Sequence, residues 1–334
     1  MMHYSDYLQL DKILGAQQPE GDRQGQPAHD EMLFIVIHQA YELWFRQLLF
    51  ETDSVIGILG RPSLNDNSPE LQTIVHRLSR CATILKVLVH QIDIMETMTP
   101  MDFLDFRDKL RPASGFQSWQ FKLLEAKLGL KYEHRFGKEY YLSQLRQPEI
   151  DRIRSAEEGA SLLELLNGWL ERMPFPPLEM AGSFWEDYRQ RYQQSLTDVE
   201  KGNLAYFDAV LGGAGGTGGA ESRSLSPAAC RAAVFIMLYR GYPLLQLPFQ
   251  MLHQLLEIDE QLSTWRFRHM SMVHRMIGTR IGTGGSTGKD YLGAALQRHH
   301  LFKEIAALTS FLIERKRLPA LNPEMERRLG FSAP

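Results

Sequence analysis

The chain has 334 residues, of which 44% are hydrophobic and 23% are charged, and its formal net charge at pH 7 is −3. These values are typical of a globular protein, and a chain of this length forms either two domains or one large helical domain. With 37 basic and 40 acidic side chains and no basic patch, the sequence argues against nucleic-acid binding.

The cysteines and the N-terminus bear on the compartment. Cys81 and Cys230 lie in separate apolar patterns, so neither a disulfide framework nor a zinc ribbon is expected. The first residues lack the basic and apolar regions of a signal peptide. The longest apolar run, Met32 to Ile37, is far shorter than a membrane span. We therefore expect a cytoplasmic protein without a membrane partner.

Two long helices are predicted in the first third of the chain. The segment from Asp30 to Leu59 is apolar on nearly every side, which predicts a buried helix with Asp30 as its N-cap. Between residues 71 and 95, apolar residues alternate in steps of three and four, which predicts one apolar face along about seven helical turns. Such a face occurs in two-chain coiled coils, but within a compact chain it favours a bundle helix. The residues of this face are Leu71, Ile74, Leu78, Cys81, Leu85, Leu88, Ile92 and Met95.

Three further helices are predicted at Leu162–Trp169, Ala228–Tyr239 and Phe249–Ile277. Pro243 and Pro248 are expected to separate the last two, because proline breaks a helix interior. Alternating runs of Val, Ile and Thr, which would indicate strands, are almost absent. The sequence therefore predicts an all-α fold.

Two glycine-rich stretches stand apart from these helices. Residues 212–220 indicate a flexible surface insertion. They contain the spacing Gly-x-Gly-x-x-Gly, but no strand precedes it, so a dinucleotide site is not expected. Residues 282–288 nearly match a phosphate-binding loop, yet Thr283 replaces its first glycine and Asp290 replaces its Ser or Thr. This second stretch is either a linker or a ligand-binding turn rich in backbone N–H groups.

Two of the eleven histidines, His38 and His269, lie at the centre of apolar helical faces. His274 lies about 140° from the face of His269 and is expected near solvent. A histidine at such a position is more often a hydrogen-bonded core residue than a ligand, although haem does require an axial nitrogen in an apolar slot. A carboxylate-bridged metal site is disfavoured, because Glu51 and Glu125 lack the histidine three residues further on that such helices carry.

Arg107 is the most suggestive arginine, because it lies between a predicted helix and the turn that begins at Pro112. Near a cavity, its planar guanidinium could bind a substrate carboxylate with two hydrogen bonds. An ion pair with Asp105 or Asp108 is the simpler interpretation of the same residue.

Six segments are specific enough to compare with known families. They are YSDYLQLD (4–11), HDEMLFIVIHQAYELW (29–44), FRD (106–108), PASGFQS (112–118), WRFRHM (265–270) and GTGGSTG (282–288). In their order and approximate spacing, they resemble the tryptophan 2,3-dioxygenase family. The resemblance implies an all-helical, homotetrameric enzyme with one haem b per subunit. Such an enzyme adds both atoms of dioxygen across the indole C2–C3 bond of L-tryptophan and yields N-formyl-L-kynurenine.

The resemblance also assigns roles by position. It implies that His269 is the axial ligand of the haem iron, with Trp265 beside it, and that His38 contacts the indole N–H of the substrate. Arg107 would pair with the substrate carboxylate, and Thr283 with its ammonium or carboxylate group. The remaining matches form pocket walls, at Phe34 and Phe103, and haem propionate contacts, at Ser114 and Tyr291.

Tyr4 and Tyr7 match a segment that, in this family, reaches the active site of a neighbouring subunit. We therefore expect residues 1–25 to form an arm, and residues 26–334 to form a single helical haem-binding catalytic domain with a glycine-rich insertion at 212–220. Two other functions remain open. One is a related haem dioxygenase for another indoleamine, and the other is a helical haem sensor without catalysis.

Overall fold

The structure, a computed structural model, describes residues 1–62, 64, 68–135, 142–176, 178–212, 223–282 and 299–330. For residues 178–181 only the helical backbone is described. No strand occurs among all these residues, which confirms the predicted all-α class. None of the helices within these ranges has the length and apolar character needed to cross a membrane.

The α-helices follow one another along the chain with short connections. In chain order they are α1 Tyr4–Leu8, α2 Leu10–Leu14, α3 Glu20–Arg23, α4 His29–Leu59, α5 Pro69–Met95, α6 Pro100–Arg107, α7 Trp119–Leu128, α8 Gln147–Glu158, α9 Leu162–Glu171, α10 Leu178–Ser195, α11 Asn203–Leu211, α12 Pro227–Leu238, α13 Pro243–Ile277, α14 Lys303–Ala307 and α15 Pro323–Leu329. Short 3-10 helices span Asp108–Leu110, Gly115–Gln117, Tyr132–His134, Asp198–Glu200, Leu308–Phe311 and Arg315–Arg317.

Three long helices form the framework that positions the site. Helix α5 packs extensively on α13 and on α4, and α4 also packs on α7. All eight residues of the predicted apolar face of α5 are buried inside the chain, so α5 is a bundle helix. Its buried side is wider than that face and includes Val75, Ala82 and Val89, because α5 contacts a helix on each flank.

Helix α4 departs from the prediction in two respects. It begins at His29, with Ala28 as the N-cap, so Asp30 lies in the first turn and the predicted N-cap was wrong. The negative charge of Asp30 still suits this position, because the helix dipole is positive there. One flank of α4 is also exposed, including Leu43 and Phe50, so the helix is buried on its inner side only.

Pro248 does not separate two helices as predicted, since it lies inside α13, which begins at Pro243. The break between α12 and α13 lies upstream, around Tyr239 to Tyr242. A proline at the first helical position loses no hydrogen bond, because that N–H has no partner inside the helix. Pro248 comes only five residues later and removes one bond near the end of a 35-residue helix, which the packing on α5 tolerates.

The segment before α4 folds back on that helix. The buried carboxylate of Glu31 accepts hydrogen bonds from the backbone N–H groups of Glu20 (2.7 Å) and Gly21 (2.9 Å). The side chain of Gln39 accepts a hydrogen bond from Gln17 at 2.6 Å. Helices α1 and α2, by contrast, contain no buried residue. The N-terminal segment is therefore fixed to α4 only from about residue 16 onward.

Candidate active site

A cavity of about 300 Å³ lies between α4, α6, α7 and α13. Its volume is within the usual range for small-molecule sites. It brings together seven residues that the sequence analysis selected: Phe34, His38, Phe103, Arg107, Ser114, Trp265 and His269. The two histidines therefore belong to one site, although they lie on different helices and far apart in the chain.

His38 is fixed by a hydrogen bond within its own helix. Its Nδ1 lies 2.7 Å from the carbonyl oxygen of Phe34. Because a carbonyl oxygen can only accept, Nδ1 carries the proton and the neutral ring presents Nε2 as an acceptor. Burial lowers the pKa of His38 from its ordinary value, while the Phe34 carbonyl and the charge of Glu42 act in the opposite direction. His38 is therefore a neutral hydrogen-bond acceptor at physiological pH.

His269 lies on α13, in an apolar environment. Its ring stacks on that of Trp265, one turn earlier, with centroids 5.1 Å apart and planes at 3°. Burial, and secondarily the charge of His38, lowers the pKa of His269 to about 4. The imidazole is therefore neutral, which is the form that binds a metal. His274 is exposed, as its angular position predicted.

Aromatic rings form the wall beside His38. The Phe34 ring lies 4.1 Å from the His38 ring and 5.8 Å from the Phe103 ring, with which it is stacked. Tyr41 adds a ring to the lining, but its hydroxyl donates a hydrogen bond to the Leu88 carbonyl at 2.9 Å. These rings favour a flat, apolar ligand.

Arg107 provides positive charge at the edge of the aromatic wall. It is buried, and its Nη2 donates a hydrogen bond to the carbonyl of Ile281. Neither Asp105 nor Asp108 pairs with it, and Asp108 instead lies 3.6 Å from Arg111. The ion-pair interpretation of Arg107 is therefore wrong. A buried guanidinium that has only a carbonyl partner is suited to bind an incoming carboxylate.

Buried polar atoms without partners concentrate at this cavity. Among the described residues, seven buried side-chain nitrogen or oxygen atoms have no hydrogen-bond partner, and four of them belong to lining residues. The four are Arg107 Nε, Ser118 Oγ, Trp265 Nε1 and His269 Nδ1. Each such atom would cost stability in a closed core, so their concentration indicates a ligand site. A neutral histidine in an apolar slot, with polar groups at the rim, fits a haem.

Four of the predicted site residues lie elsewhere or cannot be placed. Tyr4 and Tyr7, on α1, are each 70% exposed and do not line the cavity of their own chain. Thr283 and Tyr291 lie outside the described residues. Gly282, which immediately precedes Thr283, does line the cavity.

The sequence analysis missed a group of charged lining residues. Lys122, Glu125, Arg266 and His299 are all buried and contribute to the cavity wall. Charged residues are rarely buried unless paired, so in a helical pattern each of them indicates a solvent-facing position. Their pairing depends on contacts between distant segments, which single-sequence periodicity does not reveal.

Comparison with known proteins places this geometry in a family context. The family model described as tryptophan 2,3-dioxygenase matches residues 1–209 and 217–312. The chain is 40% identical to the tryptophan 2,3-dioxygenase of Bdellovibrio bacteriovorus, with 99% of the chain and 98% of the relative covered. It is 42% identical to that of Alteromonas mediterranea, with 98% and 97% covered. It is also 40% identical to tryptophan 2,3-dioxygenase B of Danio rerio, with 97% and 85% covered.

Proposed function

The chain belongs to the tryptophan 2,3-dioxygenase family, and we propose that the cavity between His38 and His269 is its active site. Its activity is the addition of both atoms of dioxygen across the indole C2–C3 bond of L-tryptophan, which gives N-formyl-L-kynurenine and begins tryptophan degradation. The observation that carries the proposed site is the placement of a neutral His38, a buried Arg107 and a neutral His269 around one cavity.

Haem b, one per subunit, is the proposed cofactor of this cavity. His269 would hold the iron as its axial ligand, with Trp265 stacked beside it. Ser114, on the turn that begins the 3-10 helix Gly115–Gln117, and Tyr291 would lie near the propionates. When bound, the haem supplies the redox chemistry with dioxygen.

His38 orients the indole in this proposal. With its proton fixed on Nδ1 by the Phe34 carbonyl, its Nε2 accepts a hydrogen bond from the indole N–H. An indole N–H is a very weak acid, so the role of His38 is positioning rather than proton removal. The ring systems of Phe34 and Phe103 contact the indole and exclude water from its reacting edge.

Arg107 binds the substrate carboxylate. Its Nη2 would leave the Ile281 carbonyl, and the unpartnered Nε would provide a second donor. Thr283 would contact the ammonium or the carboxylate from the following stretch. A carboxylate clamp favours an amino acid over a simple indoleamine as the substrate, and a haem sensor without catalysis would not require one.

The assembly and the location complete the proposal. A homotetramer would give the exposed Tyr4 and Tyr7 of the arm (residues 1–25) a cavity in a neighbouring subunit to complete. It would also cover exposed apolar residues of α4 such as Leu43 and Phe50. Cys81 and Cys230 are free and buried, which suits a reducing, cytoplasmic environment.

Comparing three substrates tests this function. The haem-loaded protein is supplied with dioxygen, a reductant, and L-tryptophan, D-tryptophan or tryptamine, and the absorbance of the N-formylkynurenine-type product is followed. We expect the largest kcat/KM for L-tryptophan and the smallest for tryptamine, which lacks the carboxylate. Equal kcat/KM for tryptamine would favour the broader indoleamine dioxygenase, and no product from any substrate would favour the sensor.

A further inference from the structure

A buried carboxylate on α7, that of Glu125, lies at the wall of the cavity and is not used in the proposed reaction. Only 4% of the residue is exposed. Its two oxygens contact cationic groups from separate parts of the chain. Oε1 accepts a hydrogen bond from Arg266 Nη2 at 2.7 Å, and Oε2 accepts one from Arg135 Nη1 at 2.9 Å. The Nδ1 of His299 lies 3.7 Å from Oε1.

The contact with Arg266 acts on the helix that carries His269. Arg266 lies on α13, three residues before His269, so their side chains project only about 60° apart around the helix. Arg266 also donates a hydrogen bond from Nη1 to the backbone carbonyl of His299 at 3.0 Å. A planar guanidinium held at two of its nitrogens has a fixed orientation. The contact therefore restrains the rotation of α13 at the turn that holds His269.

Glu125 is itself held on its other side. Arg135 donates from Nε to Glu157 at 2.8 Å and from Nη2 to the backbone carbonyl of Lys122 at 2.8 Å. Two carboxylates thus face two guanidinium groups, and each of the four charges has a close opposite charge. A buried charge network is stable only when its members are paired in this way.

The ionisation of Glu125 agrees with this arrangement. Burial alone would raise the pKa of its carboxyl group, but His299, Arg266 and Arg135 together hold the pKa far below the ordinary value. The carboxylate is therefore charged at every pH at which the protein would be used. Losing its charge leaves two buried guanidinium groups without their shared anion.

We propose that Glu125 is a positioning residue for haem binding, which acts through Arg266 to fix the orientation of α13 and so aim the His269 imidazole into the cavity. The inference rests on the proposed function, because it takes haem as the ligand of His269. Glu125 itself contacts neither the iron nor the substrate in this role. Its effect on the haem is transmitted by the helix.

A second buried carboxylate on α13 provides a matched control. Asp259 is 6% exposed and accepts hydrogen bonds from the backbone N–H groups of Leu301 (2.9 Å) and Phe302 (3.1 Å). Like Glu125, it anchors α13 to another part of the fold. It precedes His269 by ten residues, about 15 Å along the helix. Removing its charge therefore destabilises the fold without altering the turn that carries His269.

The test compares Glu125→Gln with Asp259→Asn in the full-length protein. Thermal unfolding of the haem-free proteins measures the structural cost, which we expect in both variants. Two further readouts are specific to the haem: its rate of transfer to apomyoglobin, and the iron–histidine stretching band of the ferrous protein by resonance Raman. We expect Glu125→Gln to release haem roughly tenfold faster than the wild type and to shift or broaden the band, and Asp259→Asn to change neither.

Each outcome bears on the inference. If Glu125→Gln keeps the wild-type band and release rate, or if Asp259→Asn changes them equally, Glu125 has only a structural role and the inference is wrong. Should Glu125→Gln not fold, Arg266→Lys keeps the charge but loses the planar contact, and the same shift in the band is expected. A wild-type protein that binds no haem would overturn the proposed function as well, whereas the other results leave it standing.

Discussion

The two histidines of the cavity lie in surroundings that differ in hydrogen bonding and in charge. On the α4 side, the ring of His38 is fixed by a hydrogen bond to the carbonyl one turn earlier and is surrounded by phenylalanine rings. On the α13 side, the Nδ1 of His269 has no partner among the described residues, and the ring is held by stacking on Trp265. One histidine thus has a defined tautomer, and the other has freedom in its second nitrogen.

This difference indicates how two neutral imidazoles in one cavity can have separate roles. A ring whose Nδ1 proton is engaged offers a directed acceptor, which suits orientation of a substrate N–H. A ring held by packing in an apolar slot suits an axial ligand, because the metal itself then fixes its direction. Burial lowers the pKa of both residues, so protonation does not distinguish them and their partners do.

Replacing Arg107 is expected to have the largest effect on catalysis while leaving both histidines intact. Removing one member of a buried charge pair costs about 2–5 kcal/mol, which is roughly a 30- to 5,000-fold loss. We therefore expect Arg107→Ala to reduce kcat/KM for L-tryptophan by that factor and to leave the haem spectrum unchanged. Binding of tryptamine, measured as a control, should change little. An equal loss for tryptamine would show that Arg107 has a structural role instead.

His38→Ala is expected to have a smaller effect, because it removes one hydrogen bond between neutral groups. Such a bond contributes about 0.5–1.5 kcal/mol, so kcat/KM for L-tryptophan should fall by up to about tenfold. Comparing L-tryptophan with 1-methyl-L-tryptophan identifies the bond, because the methylated indole has no N–H. The wild type should distinguish the two substrates more strongly than His38→Ala does. If the variant discriminates as well as the wild type, His38 does not contact the indole nitrogen.

The pH dependence of kcat/KM provides a more modest test of the α4 side. Only neutral His38 can accept the indole N–H, and burial keeps its pKa below the ordinary 6.5. A lowered pKa means that the neutral form persists as the pH falls through 6.5, so the acidic decline in kcat/KM should begin below that value. His38→Ala should lose this decline. A decline above pH 6.5 that disappears in the variant would contradict the geometry.

The smallest expected effect is that of Trp265→Phe, on the α13 side. The replacement keeps a ring stacked on His269, so we expect haem release within about threefold of the wild-type rate. Trp265→Ala removes the ring and leaves a cavity that costs about 3–5 kcal/mol, and it should release haem much faster. If Trp265→Phe releases haem as fast as Trp265→Ala, the indole itself rather than its stacking holds His269.

Helical periodicity predicted the side of the bundle on which each histidine lies. The spacing of Phe34, His38 and Tyr41 and that of Trp265 and His269 follow directly from 100° per residue, and these residues do line one cavity. Periodicity also ranked His274 as peripheral. It left a core histidine as the more common interpretation, which six matching segments outweighed.

Contacts between distant segments could not be predicted in the same way. The Ile281 carbonyl that binds Arg107 lies 174 residues further along the chain, and Arg266 is 141 residues from Glu125. Sequence patterns report which side of a helix is apolar, but not which remote group neutralises a buried charge. The continuity of α13 through Pro248 was missed for a related reason, because tertiary packing offsets the lost hydrogen bond.

Haem titration of three variants tests the assignment of the two histidines most directly. His269→Ala, His38→Ala and His274→Ala are each purified without haem, titrated with it, and followed by the intensity and position of the Soret band. The proposed geometry predicts that His269→Ala loses tight haem binding, whereas His38→Ala and the exposed His274→Ala bind it like the wild type. Loss of binding in His38→Ala with retention in His269→Ala would contradict the account, because the two sides of the cavity would then be reversed.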